Sequence, residues 1–158
     1  NVVRRAEALI TVKAMGGDIN LIDGPDLFER VHHATDRAPI RFALDAVAGG
    51  ATARLAEAIS DGGTVTCYGA LSGQPCELPP ETAFLRAISL QGFYTRRQLG
   101  KHPPARKAIL YHSLGEMVAN GTLSARIAAT YSLQEFLMAV QHAQESGEAR
   151  NGKIVLVP

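Results

Sequence analysis

The chain has 158 residues, enough for one domain with a sizeable core. Its 16 basic and 15 acidic residues leave a net charge of +1, so bulk charge gives no reason to expect nucleic acid or an anionic membrane as a partner. Hydrophobic content of 46% is that of an ordinary globular protein, and no apolar run approaches the roughly 18–20 residues of a membrane span. Two cysteines, Cys67 and Cys76, are too few for a disulfide framework and point to a reducing compartment. Their spacing matches no zinc knuckle, and no histidine pair has metal-ligand spacing, so no metal is expected. His32 and His33 are adjacent and therefore point to different sides of a helix, as surface or helix-face residues.

In chain order, Val2-Val3 reads as a strand end tipped by Arg4 and Arg5. Ala6 to Met15 is a helix, ended by Gly16-Gly17. Ile19 to Ile22 is a strand. Asp23-Gly24-Pro25 stops it and starts a helix to about Ala34, with Leu27, Val31 and Ala34 at helical spacing. Ile40 to Ala46 is a strand in which Ile40, Phe42 and Leu44 alternate with Arg41, Ala43 and Asp45. The small-residue loop 45–50 lets backbone approach a ligand closely. A helix from Ala51 to Ser60 leads through Asp61-Gly62-Gly63 to the strand Thr64 to Tyr68 and a second small-residue loop, Gly69 to Gly73.

Pro79-Pro80 opens a short helix, and Ile88 to Tyr94 alternates apolar with polar residues, as a strand near a sheet edge does. A helix from about Ala105 to Ala119 ends at Asn120-Gly121. Ile127 to Tyr131 is extended. Ser132 and Glu135 form a capping box for a helix carrying Phe136, Val140 and Ala143 on one stripe. Lys153 to Val157 is the last strand.

This strand–helix alternation predicts an α/β fold: a Rossmann-type, doubly wound parallel sheet with right-handed crossovers. In the strand order 3-2-1-4-5-6 the chain supplies strands 2 to 6. The first strand and its glycine-rich phosphate turn are not in it. Upstream sequence is therefore expected. A complete flavodoxin-like domain of different strand order is the competing reading. At the tip of strand 2 an acid hydrogen-bonds a free ribose 2′-hydroxyl, whereas arginine accommodates a 2′-phosphate.

The segments Asn1-Val2-Val3-Arg4, 44–50, 63–69, 90–94 and 152–156, in this order and spacing, resemble the carboxy-terminal part of a medium-chain dehydrogenase/reductase. The chain is most similar to trans-2-enoyl-thioester reductases, with quinone oxidoreductases close behind. The resemblance implies that residues 1–158 are a dinucleotide-binding fragment plus a carboxy-terminal strand and helix of a zinc-independent, NADPH-dependent reductase. It puts Arg4, with Arg5, on the 2′-phosphate. Ala48, Gly49, Tyr68, Gly69, Ala70 and Leu71 would lie against the nicotinamide ribose and carboxamide. Phe93 and Tyr94 would lie beside the nicotinamide, and Lys153 near the phosphates. The competing readings are a solvated strand end for the arginines, tight-turn chemistry for the glycines, core packing for Phe93 and plain surface for Lys153.

The family's catalytic tyrosine lies in an amino-terminal domain and is transferred to no residue here. The implied substrate is an enoyl thioester of coenzyme A or acyl carrier protein, with a quinone as alternative. The basic segment 95–101 could face such an anionic carrier, or be a solvated loop. A non-catalytic nucleotide-binding module is the alternative outside enzymology. A homodimer through Ile88 to Tyr94 is expected, in the cytoplasm, or in mitochondria for a eukaryotic source.

Overall fold

The computed structural model describes residues 1–145 and 152–158. It divides into two units, Asn1–Gln98 and Leu99–Pro158. In the first, β1 (Val2–Val3) is followed by α1 (Glu7–Ala14), β2 (Leu21–Ile22), α2 (Leu27–Ala34), β3 (Phe42–Asp45), α3 (Gly50–Ala58), β4 (Thr64–Cys67), α4 (Pro80–Leu85) and β5 (Ser89–Gly92). The short helix α5 (Thr95–Gly100) spans the boundary between the units. The second unit holds α6 (Pro104–Ala119), β6 (Ile127–Ser132), a 3-10 turn (Leu133–Glu135), α7 (Phe136–Gln144) and β7 (Lys153–Val157).

All strand pairs are parallel, and they form separate ladders: β1 with β2, β3–β4–β5 in order, and β6 with β7. Among the described residues β1 and β3 share no ladder. A cleft of about 740 Å³ is lined by Val2 and Val3 on one side and by Phe42 to Val47 on the other. The flavodoxin-like alternative would pair the first strand directly with the third; the observed ladders do not. The parallel ladders and their helices are those of the expected Rossmann-type α/β fold.

The two ladders share one helical layer. Ala56 and Ile59 pack with Val65 and Ile88, while Ala58, on the same helix, packs with Leu27 and Val31 of α2. Ile40 touches both clusters. Burying a side chain such as Leu27 is worth about 1.5–3 kcal/mol. Arg86 closes α3 from outside: its guanidinium donates to the carbonyls of Ala56, Glu57 and Ile59 at 3.3, 3.1 and 2.5 Å. These are carbonyls a helix terminus cannot satisfy by itself.

The helices and strands fall where the periodicity puts them, with ends either coinciding or shifted by at most three residues. Two expectations need correction. The basic segment 95–101, for which a solvated loop was the alternative to a carrier-facing surface, is mostly helix α5 (Thr95–Gly100), with Arg96 and Arg97 exposed. The alternation in β3 does not bury its apolar side: Phe42 and Leu44 are 74% and 73% exposed, and Asp45 is the buried member. The β5 strand is exposed throughout, as an edge strand. In the second unit Ser132 and Glu135 form the expected capping box. Among the described residues no helix is long and apolar enough to cross a membrane.

Candidate functional site

Both small-residue loops leave the carboxyl ends of neighbouring parallel strands, β3 and β4, where open α/β sheets bind ligands. The backbone stitches them together. Tyr68 N–H donates to the Asp45 carbonyl at 2.9 Å, Leu71 N–H to Ala46 at 3.1 Å, and Ser72 N–H to Val47 at 2.9 Å. Gly69 is required by this approach: a Cβ there would stand 2.9 Å from the Ala46 carbonyl oxygen. Gly49 has φ +63, a conformation glycine adopts readily, and Ala48 before it is held at φ +64 without that freedom. A non-glycine residue in this region is held there by its surroundings.

Asp45 does the holding. Its Oδ1 accepts from Val47 N–H at 2.8 Å and Ala48 N–H at 3.1 Å. Its Oδ2 accepts from the Thr52 hydroxyl at 2.6 Å. Asp45 and Thr52 are 1% and 0% exposed. One buried carboxylate thus fixes loop 46–49 to the first turn of α3. Asp45 lies within the motif 44–50, but the motif by itself assigns it no role. The available signal was an acid ending a strand, followed by small residues and by a threonine seven positions on.

Arg4 leaves the end of β1 and lines the cleft with Asp45, Ala46, Val47 and Tyr68. Arg4 and Arg5 are exposed, and among the described residues neither forms an ion pair. Arg5 does not line the cleft. Ala70 and Leu71 are exposed on the second loop. Phe93 N–H donates to the Cys67 carbonyl at 2.8 Å, so the residues after β5 run beside the end of β4. Phe93 and Tyr94 are 45% and 63% exposed, which rules out the core-packing reading for Phe93 in this unit. Lys153, exposed at the start of β7, belongs to the other unit. The first unit therefore gathers Arg4, Tyr68 and the two loops, with Phe93 adjoining.

A nicotinamide dinucleotide suits these residues: an arginine at the tip of β1 with no ion-pair partner among the described residues, and two loops so tightly joined that a Cβ at Gly69 would collide with Ala46.

The family model "Zinc-binding dehydrogenase" matches residues 21–156. The chain belongs to this family. It lies within the medium-chain dehydrogenase/reductase superfamily, as the sequence motifs indicated. A mitochondrial enoyl-[acyl-carrier-protein] reductase of Dictyostelium discoideum is 27% identical over 148 residues, 92% of this chain and 41% of that protein. The human protein of the same name is 26% identical over 101 residues, 64% of this chain and 27% of that one. A Bacillus thuringiensis protein assigned as an NADPH:quinone reductase superposes with a TM-score of 0.80 at 25% identity, over 97% of this chain and 46% of its own. Etr1p, solved with NADP and crotonyl-CoA, gives a TM-score of 0.74 at 16% identity over 90% of this chain and 44% of its own; at that identity it supports the fold alone. The chain spans less than half the length of these relatives.

Proposed function

We propose that residues 1–158 are the NADPH-binding part of a reductase that passes a hydride to a 2-enoyl thioester. The observation that carries this reading is the pair of loops 46–49 and 69–72, joined backbone to backbone at the carboxyl ends of the paired strands β3 and β4, where open α/β sheets bind ligands. Arg4 would hold the 2′-phosphate, because a guanidinium offers paired donors to phosphate oxygens. Ala48, Gly49 and Gly69 to Leu71 would present backbone to the nicotinamide half, with Tyr68 and Phe93 excluding water from it. The bound cofactor supplies the hydride; this chain orients it. No residue of this chain is assigned as the acid that gives a proton to the enolate.

Curated relatives named enoyl-[acyl-carrier-protein] reductase favour the thioester, carried by coenzyme A or acyl carrier protein. Arg96 and Arg97 on α5 are exposed cations suited to such a carrier. The same protein would assemble as a dimer through β5 and work in a reducing compartment, cytoplasmic or mitochondrial. A second reading, reduction of a quinone, is favoured by the likeness to the Bacillus protein. Steady-state turnover of crotonyl-coenzyme A and of a small quinone by the whole protein separates the two. Efficient thioester reduction with NADPH is expected; turnover of the quinone alone would replace the first reading by the second.

A further inference from the structure

Asp45, Cys67 and Cys76 offer one carboxylate oxygen and two sulfurs that all lie within 4.8 Å of one another. Both cysteines are free and half-buried. The two Sγ atoms are 3.5 Å apart, the Cys76 thiol donating to Cys67. Two thiolates bound about 2.3 Å from a tetrahedral ion stand about 3.8 Å apart. A disulfide requires about 2.05 Å. The observed separation is therefore a few tenths of an ångström from a chelating bite and about 1.5 Å from a covalent bond.

We propose that Asp45, Cys67 and Cys76 form a three-ligand site for a thiophilic divalent cation such as Zn²⁺ or Cd²⁺. Asp45 has room for it. A carboxylate offers about four lone-pair positions, and its three hydrogen bonds leave one on Oδ2. Those bonds also orient the oxygen, as outer partners of metal ligands do. Drawing the oxygen and the sulfurs onto one ion requires inward movement, which Cys76 can supply because it lies outside helix and strand. Binding is balanced by proton release: two thiols give two thiolates and two protons to solvent, and three anionic ligands face a dication. The fourth position is left for water. Cys67 ends β4 just before Tyr68-Gly69, and Cys76 follows the turn at Ser72 to Gln74. Ligation would therefore tie both ends of the loop that lies against 46–49. This site is independent of the proposed substrate.

The test is titration of the reduced, metal-free whole protein with Cd²⁺, read by sulfur-to-cadmium charge-transfer absorption. Zn²⁺ protection of both cysteines from alkylation is read by mass. One ion per chain, with both thiols protected, is expected. Cys76→Ser, a loop substitution that keeps the β4 ladder, should weaken binding by at least tenfold, as should Cys67→Ser. Absence of the band, equal binding by Cys76→Ser, or one ion shared by two chains would overturn the proposal.

Discussion

Arg54 grips Asp23 with two parallel hydrogen bonds, Nε to Oδ1 at 2.7 Å and Nη2 to Oδ2 at 2.6 Å. Asp23 directly follows β2, and Arg54 lies in α3, which covers the other ladder. The pair is therefore a polar clasp between the end of the β1–β2 ladder and the helix that covers the β3–β4–β5 ladder. The fork shape of the guanidinium makes it specific to arginine.

The clasp gives the fold an acid-sensitive component. The hydrogen bonds from Arg54 hold the Asp23 carboxyl below its ordinary range, and they outweigh the burial that pushes it up. A depressed carboxylate stabilises fully above its unfolded value, about 3.9. That contribution fades as pH falls through the lower folded value. With Asp23 14% and Arg54 31% exposed, solvent screening limits the effect, and Asp23→Asn should cost roughly 1–3 kcal/mol at neutral pH. Urea melts from neutral pH down to about pH 2 should show the mutant and the parent converging in acid. Parallel curves would sink the assignment.

Asp45→Asn replaces one accepting oxygen with an amide that faces N–H or hydroxyl donors. A loss of roughly 2–4 kcal/mol is expected. Thermal unfolding should drop by about 2–4 °C per kcal/mol for a chain of this size. Leu71→Val, at an exposed position, should leave the melting point within about 2 °C, as a surface replacement does.

Gly69→Ala should destabilise by roughly 1–3 kcal/mol, since its Cβ meets the backbone oxygen of Ala46 at 2.9 Å. Gly92→Ala is the control. A Cβ at Gly92 meets nothing within 4 Å, so denaturant midpoints should separate the two variants clearly. Equal midpoints would mean that the loops are not closely joined.

On the proposed reading, Arg4→Ala should lower any preference of the whole protein for NADPH over NADH by roughly 10–100-fold in kcat/KM, the scale of one or two charge-assisted hydrogen bonds. The loss should appear in KM for NADPH, with NADH kinetics and the melting point unchanged. An unchanged cofactor ratio would remove Arg4 from the site.

The order of elements was legible because period and punctuation agree: Leu27 and Val31 are buried at helical spacing, and Gly16, Gly62 and Gly121 mark turns with positive φ. The two loops were legible as small-residue runs after strands. Asp45 was harder to read, because an acid at a strand end is ordinarily solvated, and two of its three donors are backbone N–H groups that leave no trace in side-chain pattern. The exposed face of β3 could not be read from alternation, since Phe42 and Leu44 have the period of a half-buried strand whether or not anything covers them. Nor could sequence spacing show that Cys67 and Cys76, nine residues apart, place their sulfurs together; the Gly69–Gly73 turn does that.

The cleft between β1 and β3 has a consequence for handling the polypeptide. Among the described residues each of these strands has a ladder on one side only, and Phe42 and Leu44 project uncovered beside it. Unpaired strand edges with apolar flanks recruit other strands. Expressed by itself and concentrated, the 158-residue polypeptide should therefore form edge-to-edge aggregates, and an acidic or lysine substitution at Phe42 should keep it in solution longer.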